Sequence, residues 1–131
     1  IVKWSKVEAL SNAGAYGDHR PTTIGLTGHK AIALYRNLEA YAFDYEVVYT
    51  NVQASGAYRG YGATQGIYAV ESAVNELAHK MNMDPARIRE LNMPIVGEPM
   101  DDYDGNLTHT ASCTVDRCLA RAKEMIGWDE K

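Results

Sequence analysis

The segment Ser55-Gly56-Ala57-Tyr58-Arg59-Gly60-Tyr61-Gly62-Ala63-Thr64-Gln65-Gly66 constrains this chain more than any other. It is too rich in glycine to be a regular strand or the middle of a helix, yet it lies between a strong example of each. Before it, Tyr45-Glu46-Val47-Val48-Tyr49 forms the centre of a strand expected over residues 39–52, rich in aromatic and β-branched side chains. After it, Ile67, Val70, Val74, Leu77 and Met81 recur at three- and four-residue steps, the apolar stripe of an amphipathic helix. The chain must therefore turn from strand to helix through a glycine-rich, aromatic loop.

The flanking sequence supplies further elements. Val2, Trp4, Val7 and Ala9 alternate roughly with polar residues over positions 1–11, which predicts a half-buried strand. Gly14 and Gly17, within residues 12–18, indicate a turn or a strand that another backbone approaches closely. Pro21 with Thr22 and Thr23 opens a predicted helix ending near Leu34, with Gly25 and Gly28 as its weak points. Asp84 before Pro85 is an N-cap and first-turn pair for a short helix reaching Leu91. Residues 92–112 show no periodicity and read as a long loop. Thr114 caps a last predicted helix bearing Val115, Leu119, Ala122 and Ile126, which Gly127 stops. No internal repeat is visible. Strand, helix, strand, loop and helices in that order predict an α+β chain, with residues 1–131 as a single unit.

Composition excludes several classes. The 131 residues are 46% hydrophobic and 23% charged, with a formal net charge of -4, and the basic residues are scattered. A phosphate-binding surface needs Lys and Arg in clusters, so nucleic acid is not an expected partner. No window approaches the roughly 20 apolar residues of a membrane helix. Cys113 and Cys118 are badly placed for a disulfide on one helix, which suggests a reducing compartment and hence the cytoplasm. The Asn106-Leu107-Thr108 sequon then carries no meaning. The opening Ile1-Val2-Lys3-Trp4 has neither a Met nor a signal-peptide pattern, and the expectation is a piece excised from a longer product.

Only the glycine-rich loop has a composition that folding alone does not readily explain. Unpaired amides and the dipole at a helix N-terminus suit an anionic ligand, and Gly56, Gly60, Gly62 and Gly66 would let the backbone press against it. Arg59 offers a positive charge, and Tyr58 and Tyr61 offer faces for a planar ring. The competing account is a glycine-rich connection whose tyrosines pack in the core. A dinucleotide fingerprint fits poorly, because the glycines at 60, 62 and 66 spell GxGxxxG. His19, His29, His79 and His109 lack metal-ligand spacing and read as surface or satisfied histidines. Asp101, Asp102, Asp104 and Asn106 faintly suggest a calcium loop, but Ser112 stands where its bidentate Glu belongs. Glu71 and Glu76 should face water or a neighbour, and neither Ser55 nor Ser72 has an identifiable His partner for nucleophilic catalysis.

The same loop carries a resemblance. Val48-Tyr49-Thr50-Asn51 followed by residues 56–65 resembles the VYTN…GAFRGFGxPQ signature of the molybdenum hydroxylases, the family of xanthine dehydrogenases, aldehyde oxidases and nicotinate dehydrogenases. Asn12-Ala13-Gly14-Ala15-Tyr16-Gly17 is similar to the family's upstream NxGAYG segment. The stretch from Glu71 through Asp84-Pro85 to Ile88-Arg89-Glu90-Leu91-Asn92 is similar to its downstream helical motif. The resemblance covers residues 1–95.

It implies a piece of the family's molybdopterin-binding region. The parent would be an oxidoreductase that hydroxylates an N-heterocycle or aldehyde with oxygen from water. Molybdenum held by molybdopterin would take the electrons, and iron–sulfur clusters and FAD on partner domains or subunits would receive them. Partners would be the remainder of the molybdenum subunit, those electron carriers and a small-molecule substrate. Ala57, Tyr58, Arg59 and Gly60 would lie against the cofactor, and Tyr61 would stack on the substrate ring. No catalytic residue and no direct metal ligand is implied within these residues. The family's GGGFGGK motif and its late glutamate base are missing, and Glu98 is not assigned that role. Tyr61 stands where Phe is common, and Ala63-Thr64 replaces a small residue and Pro. The chain alone is expected to be inactive. A stand-alone small-molecule or nucleotide-binding module and a non-catalytic scaffold are the other readings.

Overall fold

A computed structural model describes residues 1–35, 38–101 and 107–130. Its elements run β1 (Trp4–Gly14), α1 (Arg20–Ala31), β2 (Ala40–Tyr49), α2 (Ala63–Lys80), α3 (Pro85–Glu90), β3 (Pro99–Asp101), β4 (Leu107–His109) and α4 (Val115–Ile126), then a 3-10 turn at Trp128–Glu130. The α+β expectation holds. Within it, β1 and β2 pair in parallel, from Trp4 opposite Ala40 to Asn12 opposite Val48, with an irregularity before Gly14 meets Tyr49. Parallel neighbours need a crossover, and α1 supplies it. Both strands therefore end on the same side, where the loops at 15–19 and 50–62 meet.

Two glycines of α1 and α2 set the packing of these layers. A Cβ on Gly28 would lie 2.2 Å from the Phe43 ring, and the Tyr41 hydroxyl donates to the Gly28 carbonyl at 2.6 Å, so β2 rests directly on α1. A Cβ on Gly66 would lie 1.9 Å from the Thr27 carbonyl, so α1 and α2 touch backbone to backbone. Gly25, by contrast, has open space around it and does not interrupt α1. The core lies between α1, α2 and α3, with Ala31, Tyr35, Val70, Val74, Ala78 and Ile88 buried and Val7, Ile32 and Met83 at its margin.

Several sequence expectations change. Trp4 is on the outer face of β1, because the inward side of the pleat carries Val7, Ala9, Ser11 and Ala13. The buried stripe of α2 is Gly66, Val70, Val74 and Ala78, while Ile67, Leu77 and Met81 are substantially exposed. Small residues take the contact face because the helices approach so closely. α2 also begins inside the predicted loop, at Ala63. The stretch read as a long loop contains the antiparallel pair β3–β4, whose three-residue strands are too short for alternation to register. Thr114 makes no side-chain cap hydrogen bond, and α4 buries none of its residues, although Gly127 ends it in the left-handed conformation as expected. Asp84 caps α3 as predicted, accepting from the Ala86 amide at 2.7 Å. Asp102, Asp104 and Asn106 of the acidic loop and the sequon lie outside the described residues.

Candidate functional site

Asn12 organises the end of the strand pair. Its Oδ1 accepts from the Gly14 amide at 2.8 Å and from the Thr50 hydroxyl at 2.7 Å, while its carbonyl accepts from the Ser55 hydroxyl at 2.9 Å. Backbone bonds from Ala15 to Val52, Thr50 to Gly14 and Ser55 to Ala13 continue the pairing past the ends of the strands. A Cβ on Gly14 would sit 2.3 Å from the Gln53 carbonyl, so both sequence readings of its segment, close approach and turn, are realised. Ser55 thus acts as a brace for the loop.

The loop then runs out exposed. Gly56, Ala57, Tyr58, Arg59 and Gly60 all face solvent, and Tyr58 is 87% accessible, which rules out a core role for that ring. A tight turn follows, with the Tyr61 amide donating to the Tyr58 carbonyl and the Ala63 amide to the Gly60 carbonyl, both at 2.8 Å. Gly60, Tyr61 and Gly62 all have positive φ, at 96°, 34° and 90°. Such a backbone is unusual for tyrosine, and strain of this kind gathers at functional sites.

The glycines do not share one role. Gly62 and Gly66 are buried against α1: a Cβ on Gly62 would meet the Thr23 carbonyl at 2.0 Å, and Thr27 Oγ1 donates to the Gly62 carbonyl at 2.9 Å. They serve helix packing, which corrects the expectation that they clear space for a ligand. A Cβ on Gly60 would press on the Thr64 side chain, whereas Gly56 meets nothing within 4 Å. Among the described residues, no acceptor meets the amides of residues 56–60.

His19, whose spacing in the sequence suggests only a surface or satisfied histidine, lies beside this loop. Its Nδ1 lies 2.9 Å from the Tyr61 hydroxyl, and the two rings meet edge to face at 5.8 Å and 83°. Next to it, Arg20 buries its Nε with no hydrogen-bond partner among the described residues. The unmet amides at 56–60 are what an anionic, oxygen-rich group such as molybdopterin would satisfy, so the residues present fit part of such a group.

Away from the loop, Glu71 faces a neighbour, as one sequence reading had it. It accepts from the Tyr35 hydroxyl and pairs with Arg89 across α2 and α3. Burial, and then the Glu71 carboxylate, push the Tyr35 phenol above its ordinary value, so it stays protonated. Glu98 accepts from the Ile95 amide in a local turn. Cys113 and Cys118 are free thiols. No helix among the described residues is long and apolar enough to cross a membrane.

The site thus defined is an exposed amide-bearing loop, with a strained tyrosine, at the carboxyl end of a parallel strand pair. That is where open α/β sheets bind ligands. Comparison with known proteins shows the family. Residues 2–93 match the molybdopterin cofactor-binding domain family. The xanthine dehydrogenase molybdenum-binding subunit of Escherichia coli O157:H7 is 32% identical over 130 residues, covering 99% of this chain and 17% of that protein. The nicotinate dehydrogenase large molybdopterin subunit of Eubacterium barkeri is 30% identical over 128 residues, covering 95% of this chain and 29% of that one. Carbon monoxide dehydrogenase from Oligotropha carboxidovorans shares the fold with a TM-score of 0.75 at 24% identity, over 98% of this chain and 16% of that one. The chain belongs to the molybdopterin cofactor-binding domain family. It spans between a sixth and a third of the length of these relatives.

Proposed function

We propose that residues 1–131 are one piece of the molybdopterin-binding region of a molybdenum hydroxylase, and that the loop at 56–61 forms one wall of its active site. The observation that carries this reading is the exposed run of unmet amides at residues 56–60, braced by Asn12 at one end and by the turn into α2 at the other. Ala57, Tyr58, Arg59 and Gly60 lie against the cofactor, with amides donating to its oxygens and Arg59 adding charge. Tyr61 offers its ring to a flat substrate, from a turn that holds its backbone at a positive φ of 34°.

When bound, the cofactor supplies the oxidation, taking two electrons as an oxygen from water replaces hydrogen on an electron-poor carbon of an N-heterocycle or aldehyde. This chain binds and orients. The family's late glutamate-bearing motif is missing from its sequence, and on our reading the chain turns over nothing alone. Iron–sulfur clusters and FAD on partner domains or subunits receive the electrons, and the remainder of the molybdenum subunit completes the pocket. We place the protein in the cytoplasm, in keeping with its two free thiols.

Arg59→Ala and Tyr61→Ala in the full-length protein test this reading. Each should lower kcat/KM by about 10- to 100-fold, through lost positioning and charge. Unchanged activity in both would favour the scaffold reading. Tight nucleotide binding by a protein without molybdenum would favour the nucleotide-binding module.

A further inference from the structure

Tyr61 stands where the family signature carries Phe, and its additional hydroxyl is not left to solvent. His19 Nδ1 meets it at 2.9 Å, with the two rings edge to face. We infer that His19 is a positioning residue that fixes the plane of the Tyr61 ring for stacking on a heteroaromatic substrate. The inference rests on the proposed role of Tyr61 and adds to it the group that orients the ring.

Two physical needs converge on His19. A substrate laid on the Tyr61 ring strips water from its surroundings, and a hydroxyl deprived of water must have a protein partner. The ring must also be held against rotation, because stacking depends on its plane. His19 meets both needs only if it is itself fixed. Its carbonyl accepts from the Thr23 amide at 3.0 Å and from Thr23 Oγ1 at 2.8 Å, and the Gly17 carbonyl accepts from the Arg20 amide at 2.8 Å to close the turn before α1. α1 is in turn packed on α2 at Gly62 and Gly66, immediately after Tyr61 in sequence. Imidazole and phenol thus hang from one rigid helix pair, so the bond between them defines an orientation. The histidine and the tyrosine form a matched pair that replaces a phenylalanine.

The test uses the full-length protein with xanthine and nicotinate as heteroaromatic probes and acetaldehyde as a non-aromatic one. KM and kcat are measured together with the calorimetric affinity for a flat analogue that is not turned over. His19→Ala should raise KM and weaken analogue binding by about 3- to 10-fold, the range of one hydrogen bond, with kcat and acetaldehyde kinetics unchanged. His19→Gln, which can still hydrogen-bond, should restore most of the affinity. In a Tyr61→Phe background, His19→Ala should add nothing, since the hydroxyl it serves is gone. An equal loss from His19→Ala in both backgrounds, or no loss in either, overturns the inference. Tyr61→Ala separates the two levels. If it raises KM while His19→Ala does not, only the role of His19 fails. If it leaves KM unchanged, the stacking role of Tyr61 fails and takes this inference with it.

Discussion

Arg89 of α3 closes on Glu71 of α2 through Nε at 2.8 Å and Nη2 at 2.5 Å, and Nη2 also reaches the Glu71 carbonyl. Both side chains are about one-quarter exposed, so the pair is largely withdrawn from water. Removing Arg89 leaves the Glu71 carboxylate with no opposite charge at the α2–α3 junction and only the Tyr35 hydroxyl as a partner. Arg89→Ala should destabilise the protein by about 2 kcal/mol, below the range for a fully buried pair because residual exposure screens the charge. The midpoint of urea unfolding measures it. A change within about 0.5 kcal/mol would place the pair among ordinary surface ion pairs.

Helix contact through glycine makes a paired prediction. Gly66→Ala drives a methyl group into the Thr27 carbonyl and should cost about 1–3 kcal/mol by overpacking. Gly25→Ala adds a methyl group to open space on α1 and should stabilise by about 0.5–1 kcal/mol. Thermal unfolding of the two variants should therefore move in opposite directions. A Gly66→Ala variant as stable as the parent, or more so, would contradict the helix contact.

Asn92 is fully buried, accepts from the Val2 amide at 2.7 Å and donates to the Ile88 carbonyl at 2.5 Å. It ties the entry to β1 to the end of α3, 90 residues apart in sequence. Asn92→Ala leaves the Val2 amide without its acceptor and should cost about 1–3 kcal/mol. Hydrogen exchange at Val2 should accelerate in the same variant.

A pH prediction follows from Asp84. The Ala86 amide first, and then the Trp128 indole at 3.1 Å, hold its carboxyl below the ordinary 3.8. A depressed carboxylate contributes stability that is fully present above its unfolded value and is lost as pH falls through the folded one. The tether between α3 and the C-terminal turn should thus persist at neutral pH and loosen below about pH 3.8. Trp128 fluorescence in a Trp4→Phe background reads it, and Asp84→Asn should abolish the acid transition.

How far the sequence disclosed all this depends on range. Where the cause is local, as with Asp84 before Pro85 or Gly127 after Ile126, sequence located the element to within a residue or two. Composition singles out the glycine-rich loop, but it does not separate the several roles of its glycines. Gly66 meets Thr27 across 39 positions, and no periodicity within a helix shows which backbone will approach it. The same holds for His19 and Tyr61, 42 positions apart. A short histidine-bearing turn after one strand, preceding a tyrosine loop after the next, was the only available signal. Pairing it required knowing that β1 and β2 are parallel, so that both loops emerge at one end. The β3–β4 pair escaped because three residues do not establish an alternation.

If the loop at 56–61 lies against molybdopterin, as proposed, its shape should decide how much cofactor the protein holds. Full-length protein purified from its native host should contain about one molybdenum and one pterin per copy. Replacing both Gly56, which has open space around it, and Ala57 with Val, to crowd the exposed amides of the loop, should lower both contents together while the protein stays folded. Well-folded native protein with neither molybdenum nor pterin, or undiminished content in the blocked variant, would contradict the account.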